Sequence, residues 1–385
     1  MGLVLSDENV VSFLKKQKIC STDFQPTAPI TCKASRNFNL VVQSKNGSSF
    51  LVKQGRVNAQ GKISGMLALE WLVQKLINDF SDLAPIQPLI SEVVLFDPSN
   101  SILVSVFYDD YIALDEYYKN NSDYHPQIAQ IIGANLGQIH RSTYQKPEIK
   151  NLLSQHFDLE RAKRPPHFIR KLNSLSPSIF SEICPDGLDF YKLYQRFPSL
   201  NQAVQELYDH IKPSCLTHND LTLDNFIVDP KVDTDLTNIE PARIKIIDWE
   251  SIYWADPAAD LGMLVSQYLG EWLSSFIADP NLELNTILGL ATCPLEKITP
   301  SLKGLLRGYL ATFPEILADR PDFVSRIVQF AGIGIIDRLT HYIEYHYPFD
   351  NQALCKLQVA KNLLCNPEKG VEIVFGNLEA ELGSR

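Results

Sequence analysis

Thr217-His218-Asn219-Asp220-Leu221-Thr222-Leu223-Asp224-Asn225-Phe226-Ile227-Val228, followed by Ile244-Lys245-Ile246-Ile247-Asp248-Trp249-Glu250, is the stretch whose reading decides the fold. An Asp, an Asn five residues later and a further Asp at the end of a β-type run are the parts of a metal–nucleotide site. Phosphoryl transfer asks little covalent chemistry of a protein; it rests on placing the acceptor hydroxyl and neutralising phosphate charge with Mg²⁺. Asp220 suits the acceptance of a hydroxyl proton, while Asn225 and Asp248 offer the hard oxygen atoms that Mg²⁺ prefers. No thiolate or paired imidazole lies here to draw zinc. His, Asp and Asn at fixed offsets also arise by coincidence. The apolar runs Phe226–Val228 and Ile244–Ile247 speak against coincidence, because each places a metal-ligand candidate at a hairpin end.

These residues carry a resemblance. His218-Asn219-Asp220 with Asn225, then Ile247-Asp248-Trp249-Glu250, resembles the catalytic loop and metal motif of the aminoglycoside phosphotransferase and choline kinase superfamily, which has the protein-kinase-like fold. The resemblance implies Asp220 as catalytic base, His218 as a buried prop of the loop, and Asn225 and Asp248 as ligands of Mg²⁺. Ala255-Asp256-Pro257-Ala258-Ala259-Asp260-Leu261 looks like the segment that follows the metal Asp, and it implies that Asp260 braces the loop from a helix start.

Before this stretch, Phe38–Gln43 and Ser49–Gln54 read as strands joined through Lys45-Asn46-Gly47, and Asn-Gly between β-type runs is a strong hairpin signal. The kinase-like fold implies that such a hairpin covers the nucleotide and carries the lysine that holds its phosphates. Lys53 is the candidate; a lone lysine here also fits the protection of a strand edge. Gly65 to Ile77 has helical periodicity and contains Glu70, the candidate ion-pair partner of Lys53. The loop Ala34-Ser35-Arg36-Asn37-Phe38-Asn39 has no glycine, so phosphate contacts there fall to Ser35 and Asn37. Strands are expected at Glu92–Phe96 and Ile102–Tyr108 with a turn at Asp97–Asn100. The resemblance implies that Asp109–Leu114 is the hinge at the adenine edge. Asp7 to Lys16 reads as a helix capped by Ser6.

The later chain is helical in pattern. Gln127 to Ser142 carries Ile128, Ile131, Ile132, Leu136 and Ile139, with His140 expected as a packed or capping residue. Asn151 to Ser199 is poorly periodic and broken by Arg164-Pro165-Pro166, as an insertion shaping the acceptor pocket would be. Asp229 to Arg243 reads as a solvated loop. Helices are expected over Leu200–Ile211, Leu261–Phe276, Ser301–Phe313, Asp322–His346 and Gln352–Leu364, with Pro300 and Pro321 in first-turn positions. Asp337 to Tyr347 mixes aromatics and acids, which fits packing between helices and also the holding of an amine.

The 385 residues, 45% hydrophobic and 21% charged, are enough for two cores. A net charge of -10 argues against a general nucleic-acid binder, which draws its affinity from Lys and Arg on phosphates. Seven cysteines without metal spacing point to free thiols and a cytoplasmic setting. No apolar run is long enough to span a bilayer, so no membrane partner is expected. Met1-Gly2-Leu3-Val4-Leu5-Ser6 matches a short myristoylation pattern, but Ser6 is better used as a cap.

The expected fold is therefore α+β and bilobal, protein-kinase-like, with an N-terminal antiparallel sheet lobe over residues 1–110 and a larger helical lobe over 111–385. The expected function is an ATP-dependent, Mg²⁺-requiring kinase acting on the hydroxyl of a small molecule, resembling choline kinases or aminoglycoside phosphotransferases. His-Asn-Asp rather than His-Gly-Asp favours the choline-kinase side. The alternative from another class is a catalytically idle nucleotide-binding module that docks a protein partner.

Overall fold

The structure, a computed structural model, describes residues 3–34, 37–44, 47–55, 66–121, 123–173, 185–234, 240–279, 281–283, 286, 289–344 and 348–376. The chain forms two compact units. The first runs to Tyr117 and takes in the described residues from Asp224 to Ile252; the second holds Tyr118–Leu223 and the chain from Tyr253 on.

In the first unit, β1 (Thr31–Ala34), β2 (Phe38–Val42), β3 (Ser49–Gln54), β4 (Val93–Asp97) and β5 (Ile102–Phe107) form an antiparallel sheet in the order β1-β2-β3-β5-β4. Period-two alternation gives it two faces. Leu40, Val42, Phe50, Val52, Ile102 and Val104 share one buried cluster with Val10, Phe13 and Leu14 of α1 (Val10–Lys16). Lys53 is next to Val52 and falls on the other face, beside its cross-strand neighbour Leu103. There Leu103 and Val93 pack with Leu67 and Trp71 of α2 (Met66–Asp79). The Gln74 side chain of α2 accepts the Val93 N–H at 3.1 Å, which fixes the helix against β4.

β6 (Ile112–Ala113), where a hinge was implied, pairs antiparallel with β8 (Phe226–Val228), and β8 pairs with β9 (Ile244–Ile246). The loop between β8 and β9 is closed at its base by Arg243 and Asp229, 2.9 Å apart. Three-ten turns at Pro230–Thr234 and Pro241–Arg243 shape its ends.

The division of the chain falls within α3 (Leu114–Asn121), and the second unit goes on with α4 (Pro126–Thr143). The second unit continues with α5 (Pro147–Ser154), α6 (His167–Asn173), α7 (Pro185–Gln195), α8 (Pro198–Asp209) and β7 (Cys215–Thr217). After β10 (Tyr253–Ala255), which pairs with β7, come α9 (Pro257–Ser275), α10 (Leu295–Thr312), α11 (Glu315–Asp319), α12 (Phe323–Glu344), α13 (Asn351–Cys365) and α14 (Pro367–Phe375). Helices α4 and α10 cross so closely that a Cβ on Gly133 would strike the Leu305 carbonyl, and one on Gly308 the Gln130 carbonyl.

Four expectations change. The first helix begins at Val10, not Asp7, because Asn9 rather than Ser6 precedes it and its side chain accepts the Ser6 N–H at 2.9 Å, holding the chain in a turn. Pro300 lies inside α10, where its ring takes away the N–H that would bond the Glu296 carbonyl. Among the described residues, 151–199 hold α6 and α7 with the last residues of α5 and the first of α8, pieces too short to set a clear helical period. β1, four residues at the sheet edge, carries too little apolar pattern to be foreseen.

Candidate active site

Lys53 is the centre of the first unit's charge. Its ammonium lies 2.8 Å from Glu70 of α2 and 2.6 Å from Asp248. Lys53 and Glu70 are 5% and 2% exposed. Burial alone pulls the ammonium down; the carboxylates of Glu70 and Asp248 outweigh it and hold the group charged, above the ordinary lysine range. Glu70 is pushed up by burial, against the pull of Lys53. A strand-edge lysine would stand in solvent; this one is enclosed and shared by two acids.

Asp248 is placed by the hairpin. Phe226 faces Ile246 in the β8–β9 register, and the Asn225 carbonyl accepts the Ile247 N–H at 2.9 Å. Asn225 and Asp248 therefore leave the end of the same hairpin. At Asp248 the backbone turns into the left-handed region, φ 65° and ψ 52°, a conformation that Asp tolerates better than most residues. The buried Trp249 indole donates to the Ile246 carbonyl at 3.0 Å and fixes that turn. Strain held by such packing collects at functional positions.

Glu250, which the sequence did not single out, accepts a hydrogen bond from the buried Asn37 amide at 2.8 Å. Asn37 thus ties the segment before β2 to the one after Asp248. Ser35, its expected companion, lies outside the described residues.

In the second unit β7 delivers His218, fully buried, and then Asp220, half-buried. His218 props the loop: its Nδ1 accepts the Asp220 N–H at 3.3 Å, so a neutral ring carries its proton on Nε2. Asn219 takes φ 62° between them. Asp260, in the first turn of α9, accepts the N–H of His218 at 2.7 Å and of Asn219 at 2.8 Å. His140 Nε2 lies 3.2 Å from the same carboxylate, and its Nδ1 lies 3.0 Å from the Tyr309 hydroxyl. Burial pushes the Asp260 carboxyl up, but His140, His218 and the backbone donor outweigh it, and the net direction is down. Sequence gave His140 only a packing role; the partner set of His140 and Tyr309, 169 residues apart, has no local signal.

A second acid answers to Asp220. Asp337 on α12 is pushed up by burial, relieved by His341, pushed further by Asp220 and Glu344, and relieved again by Arg338. Asp220 thus lies within electrostatic reach of a second, buried acid.

The sequence model of the phosphotransferase enzyme family matches residues 97–289, half of the chain, from the end of β4 past the His218–Asp220 loop and α9. The chain belongs to the phosphotransferase enzyme family. Among solved structures, a choline/ethanolamine kinase family protein from Mesorhizobium loti superposes with a TM-score of 0.51 at 16% identity, covering 95% of this chain and 98% of its own. The streptomycin–ATP–APH(2")-IIa ternary complex gives 0.50 at 13% identity, covering 97% and 100%. These likenesses show the fold, the kinase-like α+β arrangement read from the sequence. No curated protein matches the chain.

The donor set of this phosphotransferase suits a magnesium ion. Asn225 and Asp248 would offer an amide and a carboxylate oxygen from one hairpin end, and Mg²⁺ takes one or two protein oxygens where phosphates and waters supply the rest. Among the described residues no group of three or more His, Cys, Asp or Glu is placed to cage a metal alone. No described helix is long and apolar enough to cross a membrane.

Proposed function

We propose that this phosphotransferase moves the γ-phosphate of ATP to a hydroxyl of a small molecule. The observation that carries the proposal is Lys53, buried and charged between Glu70 and Asp248. Such a lysine is a fixed positive charge for nucleotide phosphates, oriented by one acid and adjacent to the other. Asp220 accepts the acceptor's proton as its oxygen bonds the γ-phosphorus and the bond to the β-phosphate bridge breaks, leaving ADP. His218 holds Asp220 by its N–H, and Asp260 holds the two peptide groups before it. Asn225 and Asp248 would hold Mg²⁺, which neutralises phosphate charge when bound. Asn37 acts through Glu250 on the segment beside Asp248, a positioning role.

Family membership and the full set of Asp220, Asn225 and Asp248 count against an idle nucleotide-binding module. The acid neighbourhood of Asp337 and Glu344 supports an acceptor with positive charge, as amino alcohols and aminoglycosides have. ATP consumption across amino alcohols, sugars, nucleosides and aminoglycosides, with Asp220→Ala as control, tests the proposal. Turnover with one class, absent in the variant, is the expected result. Mg-ATP binding without turnover on any acceptor would return the idle module to first place.

A further inference from the structure

The second unit holds a cavity of about 300 Å³ between α9, α12 and α13. That volume is at the small end of ligand sites. Its polar lining includes Ser274 of α9, Arg338 and Tyr342 of α12, and Asp350 and Lys356 at the start of α13. Leu273 and Leu339 give it an apolar side. Asp337, whose carboxylate senses Asp220, is not among the lining residues, although it directly precedes Arg338. The cavity therefore lies on a different stripe of α12 from the acids near the catalytic loop.

The lining carries two cations, Arg338 and Lys356, and one acid, Asp350. Asp350 spends its carboxylate capping α13, accepting the Ala353 N–H at 2.9 Å. The Arg338 guanidinium donates to the Gln267 side chain at 3.1 Å and occupies the space left by the missing side chain of Gly270. Lys356 lies over the Tyr342 ring at 5.8 Å, and no hydrogen bond to its ammonium is found among the described residues. Burial and then the like charge of Arg338 lower the Lys356 pKa, against the pull of Asp350. Two cations thus border a small half-enclosed space in a chain whose net charge is -10. A guanidinium, an ammonium and a Tyr hydroxyl are donors that oxyanions take.

We infer that the cavity between α9, α12 and α13 binds a small organic oxyanion, a phosphate monoester or carboxylate, with its charged group between Arg338 and Lys356 and its apolar part against Leu273 and Leu339. This site is separate from the one proposed for transfer, and it does not depend on the role given to Asp220.

Calorimetric titration of inorganic phosphate and of acetate into the full chain tests it, with Lys356→Gln, Arg338→Gln and Lys53→Met compared. Lys53→Met removes the other cation that could draw phosphate. Binding of either probe that persists in Lys53→Met and weakens about tenfold in Lys356→Gln is expected, equal to about 1.4 kcal/mol. Phosphate preferred over acetate assigns a phosphate monoester, and the reverse a carboxylate. Lys356 is partly exposed, so its substitution leaves the fold intact and decides the matter even if Arg338→Gln melts early. Binding unchanged in Lys356→Gln, binding lost in Lys53→Met, or no binding of either probe would overturn the inference.

Discussion

The carboxylate of Asp260 accepts the backbone N–H of His218 at 2.7 Å, and its second oxygen takes that of Asn219 at 2.8 Å. One buried acid at a helix start thereby fixes the two peptide groups before Asp220. Asp260→Asn keeps one acceptor and presents an amide N–H to a second donor. Its expected cost is about 2 kcal/mol in urea unfolding, the usual scale for hydrogen bonds to a charged group. Catalysis should fall in kcat more than in nucleotide KM, since the loop and not the nucleotide lysine is disturbed. The stability carries a pH sign. The folded carboxyl sits below its ordinary 3.8, so its contribution is complete above that value and fades as pH falls through the depressed one. The wild-type advantage over Asp260→Asn should vanish only in acid.

Removing Lys53 leaves Glu70 and Asp248 facing each other. Lys53→Met should cost about 3 kcal/mol, the scale for a buried pair deprived of one partner. Glu70 is already pushed above its ordinary 4.5 by burial. Without the lysine it is pushed further, and a carboxyl raised in the folded state loses stability as pH rises through the window from 4.5 upward. Thermal melting should show the variant closer to wild type at pH 5 than at pH 8; the reverse order would mean that Glu70 gains nothing from Lys53.

Asp256 anchors the start of α9 to α12 and the turn before it. Fully buried, it accepts from Arg326 Nη2 at 3.1 Å and from Arg320 Nη1 at 3.2 Å, and it caps α9 through the Ala258 N–H at 3.1 Å. Asp256→Ala strands two buried guanidinium groups and should cost about 4 kcal/mol, readable as a shift of the urea midpoint. A loss below about 1 kcal/mol, the level of a surface pair, would show that water reaches the arginines.

What the sequence revealed and what it hid follow one physical division. Local devices were legible. The alternation in β2 and β3, the apolar run feeding Asp248, and the Asp-Pro helix start before Asp260 each lie within a few residues of the feature they cause. The match of Lys53 to Glu70 was legible too, because strand and helix adjoin in the chain. Long-range polar partners were not. His140 with Tyr309, Asn37 with Glu250, and Asp256 with Arg320 and Arg326 join residues 64 to 213 apart, and no periodicity points from one to the other. Boundaries failed where a side chain captured the backbone, as Asn9 does before α1, or where a helix ran through a proline, as α10 does at Pro300.

The central claim is a division of labour between two acids, Asp220 acting on the acceptor and Asp248 on the metal-bound nucleotide. Calorimetric titration of Mg-ATP into Asp220→Ala and Asp248→Ala tests it most directly. The account predicts near-wild-type affinity in Asp220→Ala with phosphoryl transfer abolished, and a loss of about a hundredfold in affinity in Asp248→Ala, close to 3 kcal/mol. Equal loss of nucleotide binding in both variants, or transfer surviving in Asp220→Ala, would contradict it.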